Sequence, residues 1–322
     1  METTLTHLLY FALINMAIVL LGYILLKRKM VLLSWLMMIV TIYGVYYIFQ
    51  HDHPILKMLA IIATTFTAMK VIAATEGYKN GPAVLTFIQW LAFAIGWAGM
   101  RTQLFEKLGK PPLPNAWPII RFGISRIIAG GLMILLARYI TMLHLNAIVM
   151  HIIVSVLLLI GFSLLLHFGM LGVSAGMWRL SGVNTYPLFR SPAKATSLTE
   201  FWSKRWNIAF SEMTSQTIFR PLKNKIGAPA ALMLAFAFSG LLHELSLSVP
   251  VNHGYGLPML YFVIQGTLVL LERVLNNNPV KFLQHKVVAH TWTLFWVIAP
   301  APLLFHIEFI KQVVWPLAGL MY

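Results

Sequence analysis

Cysteine is absent from the 322 residues, which excludes disulfides, thiolate nucleophiles and cysteine-ligated zinc. Charge is scarce as well: Asp, Glu, Lys and Arg together make up 10% of the chain, and only 9 residues are acidic against 24 basic. With 59% hydrophobic side chains, such a chain has too little polar surface to cover a water-soluble globule. Low-complexity tracts, internal repeats and composition breaks are also missing, so residues 1–322 read as one domain. No P-loop, dinucleotide fingerprint, nucleophile-elbow serine or zinc-protease motif appears, which removes the commonest soluble enzyme chemistries.

What is present is long apolar runs: Leu8–Leu26, Val31–Phe49, Ile55–Ala74, Pro82–Met100, Ile127–Met142, Ala147–Phe168, Ala228–Val249, Leu257–Leu271 and Val287–Phe305. A helix needs about 20 apolar residues to cross a hydrocarbon layer, so the expectation is an all-α, polytopic bundle of eight or nine spans. The first run is as long as a full span and has no small-residue cleavage site after it, so it reads as a retained helix. The protein is expected to be integral and multi-pass, in a bacterial cytoplasmic membrane or the endoplasmic reticulum.

The net charge of +15 fits positive-inside topology and anionic lipid headgroups, not nucleic acid, because many basic residues border spans. Segment Gly169–Gly227 carries Arg179, Arg190, Lys194, Lys204, Arg205, Arg220, Lys223 and Lys225, so it is placed on the cytoplasmic side with the Glu272–Lys286 loop. Lys27-Arg28-Lys29 and the Arg101–Lys110 loop cannot both join them if each intervening run crosses once. One early run must be re-entrant or half-length, and Pro82–Met100 is the expected one.

Two polar features stand out. "TSLTEFW" has Ser197 and Glu200 at capping-box spacing, predicting an amphipathic helix from about Leu198. Glu200, Lys204, Asn207, Ser211 and Thr214 would share one face, with Trp202, Trp206, Ala209 and Met213 on the other. Interfacial anchoring accounts for the tryptophans but gives no reason for Asn207. The second feature is "FSGLLHELSLSVP", which puts His243 and Glu244 in an apolar run, with the small residues Ser239 and Gly240 above the imidazole. Ionisable groups at membrane depth mark a site or pathway; snorkelling of His243 from a helix end is the plainer alternative.

"SLTEFWSKRWNIAF", "FRPL" and "FSGLLHELSLSVP", in that order, resemble the membrane-bound O-acyltransferases, especially wax synthases and the related diacylglycerol and sterol O-acyltransferases. "AMKVIAATEGYKNGP" resembles a diverged form of a further wax-synthase segment. The resemblance implies acyl transfer from acyl-CoA to a lipophilic alcohol, a long-chain fatty alcohol first with diacylglycerol or a sterol as the alternative acceptors, with His243 as general base and Asn207 as the motif asparagine. Gln265 stands where the diacylglycerol branch has a glutamine, and Glu244 and Gln265 are expected to orient the ring or the acceptor hydroxyl. Trp202, Lys204, Arg205, Trp206, Arg220 and Lys223 are the expected acyl-CoA-binding residues. No cofactor beyond acyl-CoA as cosubstrate and no metal is expected.

His51-Asp52-His53 reads as a solvated loop, and His144, His151, His167, His285, His290 and His306 lack paired carboxylates at ligand spacing. Glu76 is placed to pair with Lys79 or to face a cavity and contribute to the site. The alternatives are an O-acetyltransferase of a sugar or polymer and, from another class, a proton-coupled transporter, which would need inverted repeats with broken helices.

Overall fold

The computed structural model describes residues 2–143, 145–277 and 285–322; His144 and residues 278–284 of the Glu272–Lys286 loop lie outside them. Twelve helices organise the described residues: α1 (Glu2–Arg28), α2 (Val31–Ile48), α3 (Pro54–Gly77), α4 (Phe87–Gly96), α5 (Ala116–Ile140) and α6 (Ala147–Leu180). They continue as α7 (198–205), α8 (208–226), α9 (Ala228–Val251), α10 (Leu257–Asn277), α11 (Lys286–Leu304) and α12 (307–317). Eight of them, α1, α2, α3, α5, α6, α9, α10 and α11, are long and apolar enough to cross a membrane. The chain is a multi-pass helical membrane bundle.

The half-length element is α4. Its ten residues rise only about 15 Å, half a hydrocarbon layer. A complete capping box of Thr86 and Gln89 starts it. The chain passes into protein at Trp97, so the orphan carbonyls of the last turn of α4 must find donors. Lys70 Nζ, fully buried on α3, bonds to the carbonyls of Phe93 (2.5 Å) and Trp97, and Trp178 Nε1 donates to Gly96 (2.7 Å). Because α4 does not cross, the loops after α1, α3, α6 and α10 fall at one end of the bundle. Contacts bear this out: Lys27 Nζ reaches the Ala83 carbonyl at 2.6 Å, and Arg179 Nε the Pro114 carbonyl at 3.1 Å. This end, carrying Lys27-Arg28-Lys29, Arg101–Lys110 and the 181–227 segment, is the basic face.

Two boundaries differ from the sequence expectation. Helix α5 starts at Ala116, eleven residues before the apolar run, because Arg121 and Arg126 interrupt the hydropathy without breaking the helix. Helix α6 continues past Phe168 to Leu180. Gly169 and Gly176 read as the start of a loop, yet they are contact points: a Cβ at Gly169 would lie 2.6 Å from Ile127, and one at Gly176 2.4 Å from Ile120. Small residues at that spacing let two membrane helices approach closely.

The innermost span is α3, which packs against α1, α2 and α4. Its buried face joins Ile18, Trp90, Phe93 and Trp97 in one core. A second core lies among α9, α10 and α12, around Phe236, Phe262, Phe309 and Trp315. The site described next lies where α7 and α8 press against α9 and α10.

Candidate active site

The amphipathic helix expected from Leu198 is two helices. Ser197 Oγ caps the start as anticipated, accepting from the Glu200 N–H at 3.0 Å. The Glu200 carboxylate instead accepts from the N–H of Thr196 (2.9 Å) and the Arg205 guanidinium (2.7 Å), so the box is displaced by one residue. These hydrogen bonds, led by the Thr196 N–H, hold the Glu200 carboxyl below its ordinary range. Glu272, at the end of α10, accepts from the N–H groups of Leu198 (2.9 Å) and Thr199 (3.4 Å), tying the start of α7 to the span beside it.

The chain breaks at Trp206-Asn207. Asn207 has φ 42° and ψ 62°, the left-handed region that asparagine tolerates better than most residues. Its Oδ1 accepts from the Phe210 N–H at 3.2 Å and so caps α8. That supplies the reason for an amide after Trp206. It also orients the group: with oxygen committed to the cap, Nδ2 is the end left for a ligand. Ser211 Oγ donates back to the Trp202 carbonyl and closes the corner.

On α9, the Nδ1 of His243 lies 2.7 Å from the Ser239 carbonyl. A carbonyl only accepts, so the proton is on Nδ1 and Nε2 carries the free lone pair. The Phe262 ring lies 4.4 Å away, centroid to centroid, and Phe210 6.2 Å. The next turn, Glu244–Ser248, is a π-helical insertion, a feature common at functional sites; further such turns at Phe201–Arg205 and Ser215–Phe219 flank the same region.

His243 and Asn207 line one cavity of about 220 Å³. Trp202, Trp206, Phe210 and Phe236 wall it, with the hydroxyls of Thr199, Ser203, Ser211 and Ser215 along it. It extends along α10 from Phe262 to Arg273, eleven residues or about 16 Å at helical rise. His243 therefore sits deep, and Arg273 marks the basic face. Arg273 is exposed, with no hydrogen bond or ion pair among the described residues. The sequence reading missed it, because an arginine ending a span looks like a topology charge.

Of the other expected site residues, Trp202 and Trp206 face the cavity and pack into the bundle, on Phe262 (5.6 Å) and Phe201 (5.8 Å), instead of anchoring at a lipid interface. Lys204, Arg220 and Lys223 are exposed on the basic face but do not line the cavity. Arg205 is occupied by Glu200 and the carbonyls of Arg190 and Ser191 (3.2 Å each). The ring-orienting role expected of Glu244 and Gln265 belongs to the Ser239 carbonyl. Gln265, fully buried, accepts from Trp202 Nε1 (3.1 Å) and donates to the Trp296 carbonyl (2.7 Å), so it holds the cavity wall. Glu244 turns to α10, accepting from the Met259 N–H at 3.0 Å. Gly240 does not clear space over the ring; a Cβ there would lie 2.7 Å from Met259 Sδ, so it serves the α9–α10 contact.

Elsewhere, Asp52 pairs with His7 (2.6 Å), His53 caps α3, and Glu76 meets Lys79 at 3.7 Å.

Residues 185–264 match the model of the membrane bound O-acyl transferase family, and the matched stretch contains both Asn207 and His243. This stretch is similar to the membrane bound O-acyl transferase family. The long-chain-alcohol O-fatty-acyltransferase of Simmondsia chinensis is 30% identical over 109 residues, 30% of each chain. Probable long-chain-alcohol O-fatty-acyltransferase 1 of Arabidopsis thaliana is 40% identical over 81 residues, covering 23% of this chain and 24% of that protein. Acyl-CoA--sterol O-acyltransferase 1 of Arabidopsis thaliana is 29% identical over 147 residues, 42% of each chain. These matches span from about a quarter to about two fifths of the relatives' length. The matched stretch contains α7, α8, α9 and the first third of α10, while Gln265 and Arg273 lie beyond it.

Proposed function

We propose that the chain is an acyl-CoA-dependent O-acyltransferase that esterifies a long-chain fatty alcohol, with the basic face, including the 181–227 segment, turned to the cytoplasm. The observation that carries this reading is the pairing, in one cavity, of an imidazole whose Nε2 is free with an amide whose N–H is free. Nε2 of His243 takes the proton of the alcohol as its oxygen attacks the thioester carbonyl. A positioned base of this kind contributes about 10²- to 10⁴-fold. The Asn207 Nδ2–H donates to the oxyanion that develops, and the tetrahedral adduct then collapses, breaking the C–S bond. The thiolate recovers the proton from His243, leaving ester and free thiol with no net proton change.

The donor enters from the basic face. Arg273 at the mouth, with Lys204, Arg220 and Lys223 nearby, attracts the phosphates of the carrier, and arginine suits phosphate geometry. The roughly 16 Å from Arg273 to the level of Phe262 is then spanned by the neutral arm that bears the thioester. A sterol acceptor is the second reading, since a sterol acyltransferase of Arabidopsis thaliana is among the similar proteins.

The test is purified protein supplied with labelled acyl-CoA and a panel of fatty alcohols, sterols, diacylglycerol and sugars. Thiol release with ester formation from fatty alcohols is expected, and His243→Ala should lower the rate by at least 10²-fold at unchanged folded yield. Full acyl transfer by His243→Ala would overturn the assignment of the base.

A further inference from the structure

A second cavity of about 220 Å³ lies between α5 and α6 and is used by nothing in the mechanism above. Its walls are Pro118, Ile119 and Phe122 of α5, Phe168 and Gly172 of α6, and the extended stretch Pro187–Phe189. Phe122 is 46% exposed on the outer surface of a spanning helix near its basic-face end, so the cavity opens to the side of the bundle.

One lining residue is polar in its side chain: His167, set in the π-helical turn Ser163–Met170. Its Nδ1 lies 3.3 Å from Ser163 Oγ, which leaves Nε2 as the ring nitrogen for a ligand. Arg126, one turn along α5 from Phe122, spreads its guanidinium over the Phe122 ring at 4.7 Å and is not part of the lining. The cavity therefore offers a single imidazole edge in apolar walls.

The two cavities share a partition. Trp206 lines the His243 cavity, and its ring meets Phe189 edge-on at 5.0 Å and His167 at 5.9 Å. Phe189 in turn stacks on His167 at 4.7 Å and lines the second cavity. A molecule held against His167 is thus separated from the reacting centre by two aromatic rings.

We infer that the α5–α6 cavity binds the acceptor, a single-chain alcohol, from the bilayer, with its hydroxyl on His167 and its hydrocarbon along Phe122, Ile119 and Phe168, ahead of passage past Trp206. A hydroxyl both donates and accepts, so it satisfies an imidazole nitrogen without bringing a charge into apolar walls, where a carboxylate would lose its hydration. This rests on the acyltransferase reading for the later fate of the alcohol but not for its binding.

The experiment uses the full-length protein in lipid nanodiscs with a long-chain alcohol bearing a photoactivatable diazirine. Labelling should concentrate on residues 118–122 and 167–189, be competed by unlabelled fatty alcohol but not by the corresponding fatty acid, and fall at least fivefold in Ile119→Trp and in His167→Phe. In the transfer assay, Ile119→Trp should raise the KM for alcohol at least fivefold and leave the KM for acyl-CoA within twofold. Uncompeted labelling spread evenly over lipid-facing residues would overturn the inference, as would an unchanged alcohol KM in Ile119→Trp; either result leaves the acyltransferase reading standing. Competed labelling at this cavity in a protein that transfers no acyl group would uphold the site and count against the acyltransferase reading.

Discussion

Replacing Asn207 by glycine separates the two duties of that residue. The backbone at φ 42° suits glycine without steric cost, and exchanging an asparagine cap for glycine costs only a few tenths of a kcal/mol. The fold should therefore survive: a thermal midpoint followed by tryptophan fluorescence should move by no more than a few degrees. The donor to the oxyanion is lost entirely, and removal of one such donor costs about 10²- to 10³-fold in kcat. Alanine makes the useful contrast. It forfeits the cap, at about 1 kcal/mol, and keeps a Cβ in left-handed backbone without the amide that makes asparagine tolerant of it, at up to about 1–2 kcal/mol, so Asn207→Ala should be as inactive as Asn207→Gly but visibly less stable. The assay is single-turnover ester formation from labelled acyl-CoA and a fatty alcohol at saturating concentrations. If Asn207→Gly kept kcat within threefold of the parent, the amide would be a helix cap and nothing more, and the catalytic role assigned to Nδ2 would be refuted.

Other perturbations follow from the same structure. Lys70→Met leaves the carbonyls of Phe93 and Trp97 without their buried donor, at about 1–3 kcal/mol for each unsatisfied group; the thermal midpoint should drop, and protease cleavage within 97–115 should appear first. Gln265→Leu strips partners from Trp202 Nε1 and the Trp296 carbonyl, so it should raise the KM for acyl-CoA by loosening the cavity wall while the pH profile of kcat stays in place. Glu200 has a depressed carboxyl pKa, so its stabilising effect is present above the ordinary carboxylate value of about 4.5 and is lost as pH falls through the lower folded-state value. Melting curves taken from pH 7 down to pH 3 should show an acid limb that Glu200→Gln flattens.

Hydropathy made the spans legible because a lipid-facing helix must be apolar along its length. The charge pattern alone required one of the early runs to stop short, since Lys27-Arg28-Lys29 and Arg101–Lys110 could share a face in no other way. Reading failed where polarity and glycine served packing: Arg121 and Arg126 hid the first eleven residues of α5, and Gly169 and Gly176 hid the end of α6. At the site, His243 was readable as an ionisable group in an apolar run, and Asn207 as an amide that interfacial anchoring does not explain. Their geometry was not, because it depends on a left-handed residue and on a carbonyl, that of Ser239, which has no signature in side-chain sequence. Gln265 and Glu244 show the opposite error, since correct spacing along a chain says nothing about which neighbour a side chain meets.

The brevity of α4 reaches beyond its own contacts. Whether a segment crosses or turns back decides the parity of every later span, so ten residues ending at Gly96, held by Lys70 and Trp178, determine the compartment into which the mouth of the His243 cavity opens. Extending Phe87–Gly96 with leucines to full span length would invert α5 through α11 during insertion, or strand one of them. The lysine that stops this helix thus bears on which side of a membrane supplies the substrate.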